Sequence, residues 1–145
     1  MDFFSALRIA TTGLSVQRTR MNLTSSNLAN VETTRTAEGG PYQRRSAVIA
    51  AVPLSETFEE VFGDALHDKT HGAEVVAIAA DGAQGRLVYD PSHPDANIDG
   101  YVEMPNVNPI TEMVDMLTAS RTYEANVTAV KAIKSMAQNA LDIGE

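Results

Sequence analysis

The densest collection of groups able to do chemistry is Asp90-Pro91-Ser92-His93-Pro94-Asp95 with Asp99, an imidazole and three carboxylates in one short stretch. These donor types suit a divalent cation. The prolines around the Ser-His pair also describe a surface loop of solvated acids, which accounts for the same residues without an ion. His67 and His71 are four apart, as two ligands on one helical turn would be. No glutamate lies between them in a metalloprotease pattern, and Gly72 follows at once, so a solvated pair is the expectation. Glu59 and Glu60 offer paired acids, but an exposed acidic run predicts them equally well. Gly-x-Ser-x-Gly, the phosphate loop and the dinucleotide fingerprint are all absent from the sequence. The chain has no cysteine, which excludes thiolate nucleophiles, disulfides, iron-sulfur clusters and Cys-ligated zinc. The expectation is therefore no catalytic residue, no metal site and no cofactor.

What these residues sit on is bounded by size and charge. At 145 residues the chain suits one ordinary domain, or a small domain with long helical arms. A hydrophobic fraction of 43% and a charged fraction of 21% place it in the globular range. The net charge of -8 opposes binding to nucleic-acid phosphates or to an anionic membrane surface. The start, Met1-Asp2-Phe3-Phe4-Ser5-Ala6-Leu7-Arg8, lacks the basic and apolar regions of a secretory signal, so no cleaved signal peptide is expected. The longest apolar runs, Ala47 to Val52 and Val75 to Ala80, are far below the ~20 residues of a membrane-spanning helix. Direct membrane insertion is not expected.

Charge and chain-breaking residues are distributed unevenly. Residues 1–30 carry three basic groups and one acid, residues 31–107 carry five and thirteen, and residues 108–145 carry three and five. Seven of the nine glycines, and every proline except Pro109, lie in the middle segment. Ends poor in breakers around a centre rich in them read as helix, β-containing insert, helix.

In the first segment Leu7, Leu14, Met21 and Leu28 recur every seven residues, with Phe3, Ala10, Gln17, Thr24 and Val31 at the intervening heptad positions. A helix over Phe3 to Leu28 would be roughly 39 Å long, with a narrow stripe and nothing local to bury it against. The last segment offers a partner. Asn108 suits a cap, Pro109 the first helical position, and Glu112 and Asp115 the positive end of the macrodipole. Ile110, Met113, Met116, Leu117, Ser120, Tyr123, Val127, Val130, Ile133, Ala137 and Leu141 keep three-and-four spacing. Both stripes are diluted by Thr, Gln, Ser and Ala, so an isolated helix pair would be marginal and further chains would stabilise it.

Between the helices, Tyr42 to Val52 is expected as a strand. Glu74 to Ala80 and Arg86 to Tyr89 are expected to pair as a hairpin across Asp81-Gly82-Ala83-Gln84-Gly85. Asp90 to Gly100 reads as loop, and 55–72 as an irregular stretch. Ser26-Asn27-Leu28-Ala29-Asn30-Val31-Glu32-Thr33 reads as helix termination, with Asn30 suited to a left-handed C-cap. Ser120-Arg121-Thr122-Tyr123-Glu124-Ala125-Asn126 is more polar than a solitary coiled-coil seam wants and suits contacts with several neighbours.

These two segments resemble the signatures of the flagellar rod and hook family, the axial proteins of the bacterial flagellum. The first resemblance runs through Ser26 to Thr34 and on through Gly39-Gly40-Pro41-Tyr42-Gln43-Arg44-Arg45. The second runs from Glu112-Met113-Val114-Asp115-Met116-Leu117 to Ala125-Asn126. Gly40-Pro41-Tyr42, Asp90-Pro91-Ser92-His93-Pro94 and Gly100 to Asn108 are similar to members found in the proximal rod. The stretch 55–72 fits no quoted pattern of the family.

The resemblance implies an α+β fold. Its terminal helical core comprises residues 1–32 and 108–145, with the long helices paired as an antiparallel, coiled-coil-like bundle, and residues 33–107 form a small β-rich outer domain. It implies a structural subunit that polymerises into a helical tube, transmits torque and encloses an export channel. The implied assembly residues are Leu7, Leu14, Met21, Asn27, Leu28, Asn30, Met113, Met116, Leu117, Arg121, Tyr123, Glu124, Asn126, Val127 and Val130. The implied partners are further copies, other rod proteins, the basal-body adaptor and MS ring at the rod base, and the flagellar type III export apparatus. The implied place is the periplasmic rod of the basal body, reached without a cleaved signal peptide. Two other readings remain open from sequence: a soluble helical adaptor or export-chaperone-like module, and a small metal-dependent hydrolase built on the 90–99 loop.

Overall fold

The computed structural model describes residues 3–54 and 71–142. A 27-residue helix, α1 (Phe3–Ala29), opens the described chain and a 34-residue helix, α2 (Pro109–Asp142), closes it. Among the described residues four strands lie between them: β1 (Arg45–Pro53), β2 (His71–Ala80), β3 (Leu87–Tyr89) and β4 (Tyr101–Glu103). The fold class is α+β.

α1 carries many hydroxyl residues in its interior, and the helix absorbs them locally. Thr11, Thr12, Thr19 and Thr24 donate to the carbonyls of Arg8, Ile9, Ser15 and Arg20, three or four residues back. Each hydroxyl is thereby satisfied without leaving the helix. At the C-terminal end the Asn30 side chain donates from Nδ2 to the Ser26 carbonyl at 2.8 Å. Among the described residues no residue other than glycine has positive φ. The left-handed cap expected of Asn30 is therefore corrected, because the amide side chain already satisfies a freed carbonyl and the chain need not reverse its φ.

α2 starts as the sequence indicates. Asn108 Oδ1 accepts from the backbone N–H groups of Ile110 and Thr111 at 3.0 and 3.4 Å, and Pro109 occupies the first helical position. The cap covers two otherwise orphaned donors, and Pro109 has none to lose.

The strands form two separate two-stranded sheets, β1–β2 and β3–β4. The expected pairing of β2 with β3 is thus corrected. The N–H of Asp81, next after β2, donates to the Arg44 carbonyl just before β1 at 2.7 Å, which ties this end of β2 to β1. β3 pairs antiparallel with β4 in the register Leu87↔Glu103, Val88↔Val102, Tyr89↔Tyr101. Residues 81–85 are consequently a link between sheets. Gly100, at φ +80°, allows the chain to enter β4, and a Cβ there would meet Tyr89 Cε2 at 2.9 Å. Only glycine suits both that φ and that approach. His71 lies on β2, so the helical spacing considered for it does not apply. Its proposed companion His67 lies outside the described residues, as do Glu59, Glu60 and nearly all of the 55–72 stretch.

The chain divides into two compact units. Of the described residues, the first gathers 3–19, 49–54, 71–76 and 119–142. Within it Ala10, Val16 and Ala119 are buried, and Thr12 Oγ1 accepts from the Ala73 N–H at 3.3 Å. A Cβ added at Gly13 would stand 2.9 Å from Asn126 Nδ2, so glycine is what lets that amide lie on α1. The second unit gathers residues 20–48 and 77–118, and it buries Thr24, Asn27, Tyr42, Val102 and Glu112.

Candidate assembly interface

The interior of the second unit is held by a polar cluster drawn from three distant parts of the chain. Glu112, in the first turns of α2, is fully buried and accepts from Arg44 Nε at 2.6 Å and from Asn27 Nδ2 at 3.0 Å. Asn27, in the last turn of α1, also donates to the Arg45 carbonyl at 2.9 Å. Its Oδ1 accepts from the Arg45 N–H at 3.0 Å and from Tyr42 Oη at 2.9 Å. The Arg44 guanidinium reaches Asp115 as well, at 3.4 Å, and its backbone N–H donates to Asn106 Oδ1 at 2.7 Å. Asn106 Nδ2 in turn donates to the Asp81 carbonyl at 2.9 Å.

Every buried side-chain polar atom among the described residues has a partner. A buried cluster stabilises only when fully satisfied, because a single orphaned group carries its whole desolvation cost. Glu112 illustrates this. A fully buried carboxylate is costly by itself, and the charge-assisted bond from Arg44 with the amide bond from Asn27 offsets that cost. In the sequence Glu112 reads as a first-turn acid on the macrodipole. Its partners lie 68 and 85 residues away, beyond what local spacing reveals. The available signal was the resemblance to the axial proteins, whose quoted segments contain Asn27, Tyr42, Arg44 and Glu112.

The remaining candidate residues fall into three environments. Leu7, Leu14, Met21, Leu28 and Asn30 on or just after α1 are half-buried, as are Met116, Tyr123, Asn126, Val127 and Val130 on α2. Met113, Leu117, Arg121 and Glu124 are exposed. Asn27 alone is buried, and it is the one that joins the Glu112 cluster.

The 90–99 loop directs its polar groups to separate partners, some within the loop and some on Thr34 and Arg35. Asp90 Oδ1 accepts from Ser92 Oγ at 2.6 Å and from the Ser92 N–H at 3.1 Å. These bonds, with attraction to His93, hold the Asp90 carboxyl below the ordinary carboxylate range. His93 Nδ1 accepts from the Asp95 N–H at 3.1 Å. Asp95 accepts from Thr34 Oγ1 at 2.8 Å and lies 3.6 Å from Arg35. Among the described residues no three His, Asp or Glu side chains come close enough together to hold a metal ion.

Comparison with known proteins decides the family. The family described as "Flagella basal body rod protein" matches residues 7–35, and the one described as "Flagellar basal body rod FlgEFG protein C-terminal" matches residues 98–143. The flagellar basal-body rod protein FlgC of Bacillus subtilis is 41% identical, with all of both chains covered. The chain belongs to the FlgC family of flagellar basal-body rod proteins. The FlgC of Borreliella burgdorferi is 43% identical over 99% of this chain and 98% of its own, and that of Salmonella typhimurium is 35% identical over the whole of both. The two matched regions contain Asn27 and Glu112, so the buried cluster joins both FlgC-like ends of the chain to the intervening Tyr42 and Arg44.

Proposed function

We propose that this chain is a structural subunit of the bacterial flagellar basal-body rod that assembles with other rod proteins and does no catalysis. The observation that carries this reading is how little of the apolar surface the chain buries by itself. Among the described residues the buried apolar core is Ala10, Val16, Tyr42, Val102 and Ala119, while fifteen large hydrophobic residues are exposed. A chain of this size leaves so much apolar surface uncovered when neighbours are meant to cover it. Relatives matched from end to end are rod proteins, so an adaptor or export chaperone is not favoured.

The finer reading is that residues 1–32 and 108–145 form the helical core of the tube and residues 33–107 its outer part. The terminal helices pair antiparallel in a coiled-coil-like way. Two contacts support this: Asn126 against Gly13 in one unit and Glu112 against Asn27 in the other, each joining an earlier part of one helix to a later part of the other. The fifteen interface residues named from sequence face neighbouring subunits or the partner helix. The rod so formed lies in the periplasm, meets the adaptor and MS ring at its base, carries torque and encloses the export channel. Its subunits leave through the type III apparatus without a cleaved signal peptide. No helix among the described residues is long and apolar enough to cross a membrane.

Mass spectrometry of detergent-purified hook-basal bodies, stripped of loosely bound protein, tests the core of this reading. Recovery of the chain with the rod is the expected result, and its absence from intact rods would reject a structural axial role.

A further inference from the structure

Aspartate is followed by glycine twice in the chain, at Asp81-Gly82 and at Asp99-Gly100, and both aspartates are exposed. An aspartyl carboxyl in such a pair is open to attack by the next backbone nitrogen, because glycine has no Cβ to block the approach. The fold treats the two pairs differently. In the link after β2, Asp81 Oδ1 accepts from the Ala83 N–H at 3.0 Å. That bond closes a ring around the Gly82 peptide group and holds the carboxyl beside the Gly82 nitrogen. The Gly82 N–H has no partner among the described residues. Gly82 is exposed, and nothing beyond its chain neighbours lies within 4 Å of where a Cβ would stand. At the other pair the glycine nitrogen is engaged. The Gly100 N–H donates to the Asn97 carbonyl at 2.9 Å. Gly100 is also buried, at φ +80°, with Tyr89 Cε2 and Pro91 Cγ at 2.9 and 3.2 Å from the position of a Cβ.

We propose that Asp81 is a self-modification site, converted to isoaspartate through a succinimide, and that the fold spares Asp99. The Gly82 nitrogen bonds to Asp81 Cγ. The bond from Cγ to the hydroxyl of the protonated carboxyl breaks, and that hydroxyl leaves with the amide proton as water. Water then adds back to the ring. Opening at Cγ restores aspartate, whereas opening at the former main-chain carbonyl breaks its bond to nitrogen and leaves isoaspartate. The two steps lose and regain one water, so no oxidant or other reagent is needed and the mass is unchanged. In the product the main chain runs through Cβ and Cγ, which lengthens the link between the sheets, and the former carbonyl becomes a free carboxylate. In the unmodified chain that carbonyl accepts from Asn106 Nδ2 at 2.9 Å, and Asn106 Oδ1 holds the Arg44 N–H at 2.7 Å. The modification therefore falls on the outer edge of the cluster around Glu112.

Mass spectrometry tests this on the full chain, and trypsin separates the two sites because Arg86 lies between them. The chain is incubated in neutral heavy-oxygen water, folded and in denaturant, then digested in ordinary water. Each passage through the ring leaves a heavy oxygen at the residue, whichever way the ring opens. Incubation runs until the denatured chain is labelled at both sites, where the two pairs are no longer distinguished by the fold. The expected result in the folded chain is several-fold more label at Asp81 than at Asp99, with a separable isoaspartyl form of the Asp81 peptide. Gly82→Ala, for which the open space around Gly82 leaves room, is expected to cut the Asp81 label several-fold, folded or denatured, and to leave Asp99 unchanged. Folded chain labelled no more at Asp81 than at Asp99 would overturn the proposal. So would Asp81 labelling that Gly82→Ala does not reduce, since the attacking nitrogen would then not be that of residue 82.

Discussion

Arg44 Nε donates to Glu112 Oε1 at 2.6 Å, joining a guanidinium whose side chain is 26% exposed to a carboxylate that is not exposed at all. Arg44 lies just before β1 and Glu112 in the first turns of α2, so this pair fastens the start of the first sheet to the start of the last helix. Asn27, the end of α1, bonds to the same carboxylate. The three elements therefore share one buried acceptor.

Removal of the guanidinium is predicted to be far more damaging than removal of its second acid. Arg44→Ala leaves Glu112 buried with one amide donor, a situation that costs about 3–5 kcal/mol. Asp115→Ala removes a longer, part-exposed contact at 3.4 Å and is expected to cost no more than about 1 kcal/mol. Glu112→Gln keeps an acceptor for Asn27 and should fall between the two. Denaturant unfolding of the three purified variants ranks them, and equal losses for Arg44→Ala and Asp115→Ala would show that the buried acid does not depend on its arginine.

The close approach at Gly13 leads to a prediction about sign. Gly in a helix interior is less favourable than Ala by about 1 kcal/mol, so Gly13→Ala should stabilise α1 wherever space permits. Here the new methyl would meet Asn126 Nδ2 at 2.9 Å. The expected outcome is a gain of about 1 kcal/mol when Asn126→Ala is already present and a smaller gain, or a loss, in the unsubstituted background. A double-mutant cycle measures this coupling, and additive effects would place the two residues out of contact.

These cases show where the sequence was informative. The limits of both helices, Asn108 as a cap and Pro109 at the first position were legible because caps and periodicity are local signals. Which strand pairs with which was not. β2 and β3 are separated by a link with ordinary turn residues, yet β2 pairs with β1, which lies far before it in the chain. β4 escaped notice because three residues, Tyr101 to Glu103, are too short for an alternating pattern to declare itself. Leu7, Leu14, Met21 and Leu28 read as a stripe in the sequence, and all four are half-buried on α1. The partnership of Asn27 with Glu112 was not, since a buried acid and a first-turn acid look alike until the chain is folded.

Asp90 supplies a prediction about pH. The Ser92 hydroxyl and N–H stabilise its charged form, so its folded-state titration lies below that of the unfolded chain. With the folded value depressed, the contribution of these bonds is fully present above the unfolded carboxylate value and is lost as pH falls through the folded one. Ser92→Ala is expected to move the Asp90 midpoint upward toward the ordinary carboxylate range. Carboxyl-carbon NMR titration of both proteins reads it, and an unchanged midpoint would remove the hydroxyl as the leading cause.

Assembly should be most sensitive to charge placed on the half-buried helix stripes. Leu14 on α1 and Val127 on α2 are half-buried in the described chain, and neighbouring subunits would cover what remains. An aspartate at either position would then sit unpaired in an apolar contact, a cost of several kcal/mol against a subunit interface. Leu14→Asp and Val127→Asp are therefore predicted to abolish rod formation and motility. Asp81→Ala serves as the control: its carboxylate is exposed and accepts from the nearby Ala83 N–H, while the Asp81 backbone contacts survive the substitution. Motility on soft agar and chain recovery in purified basal bodies measure both effects together. Because the two stripe variants fall on different helices, motile cells carrying Leu14→Asp would exclude the α1 stripe from the subunit contact even if Val127→Asp behaved as expected.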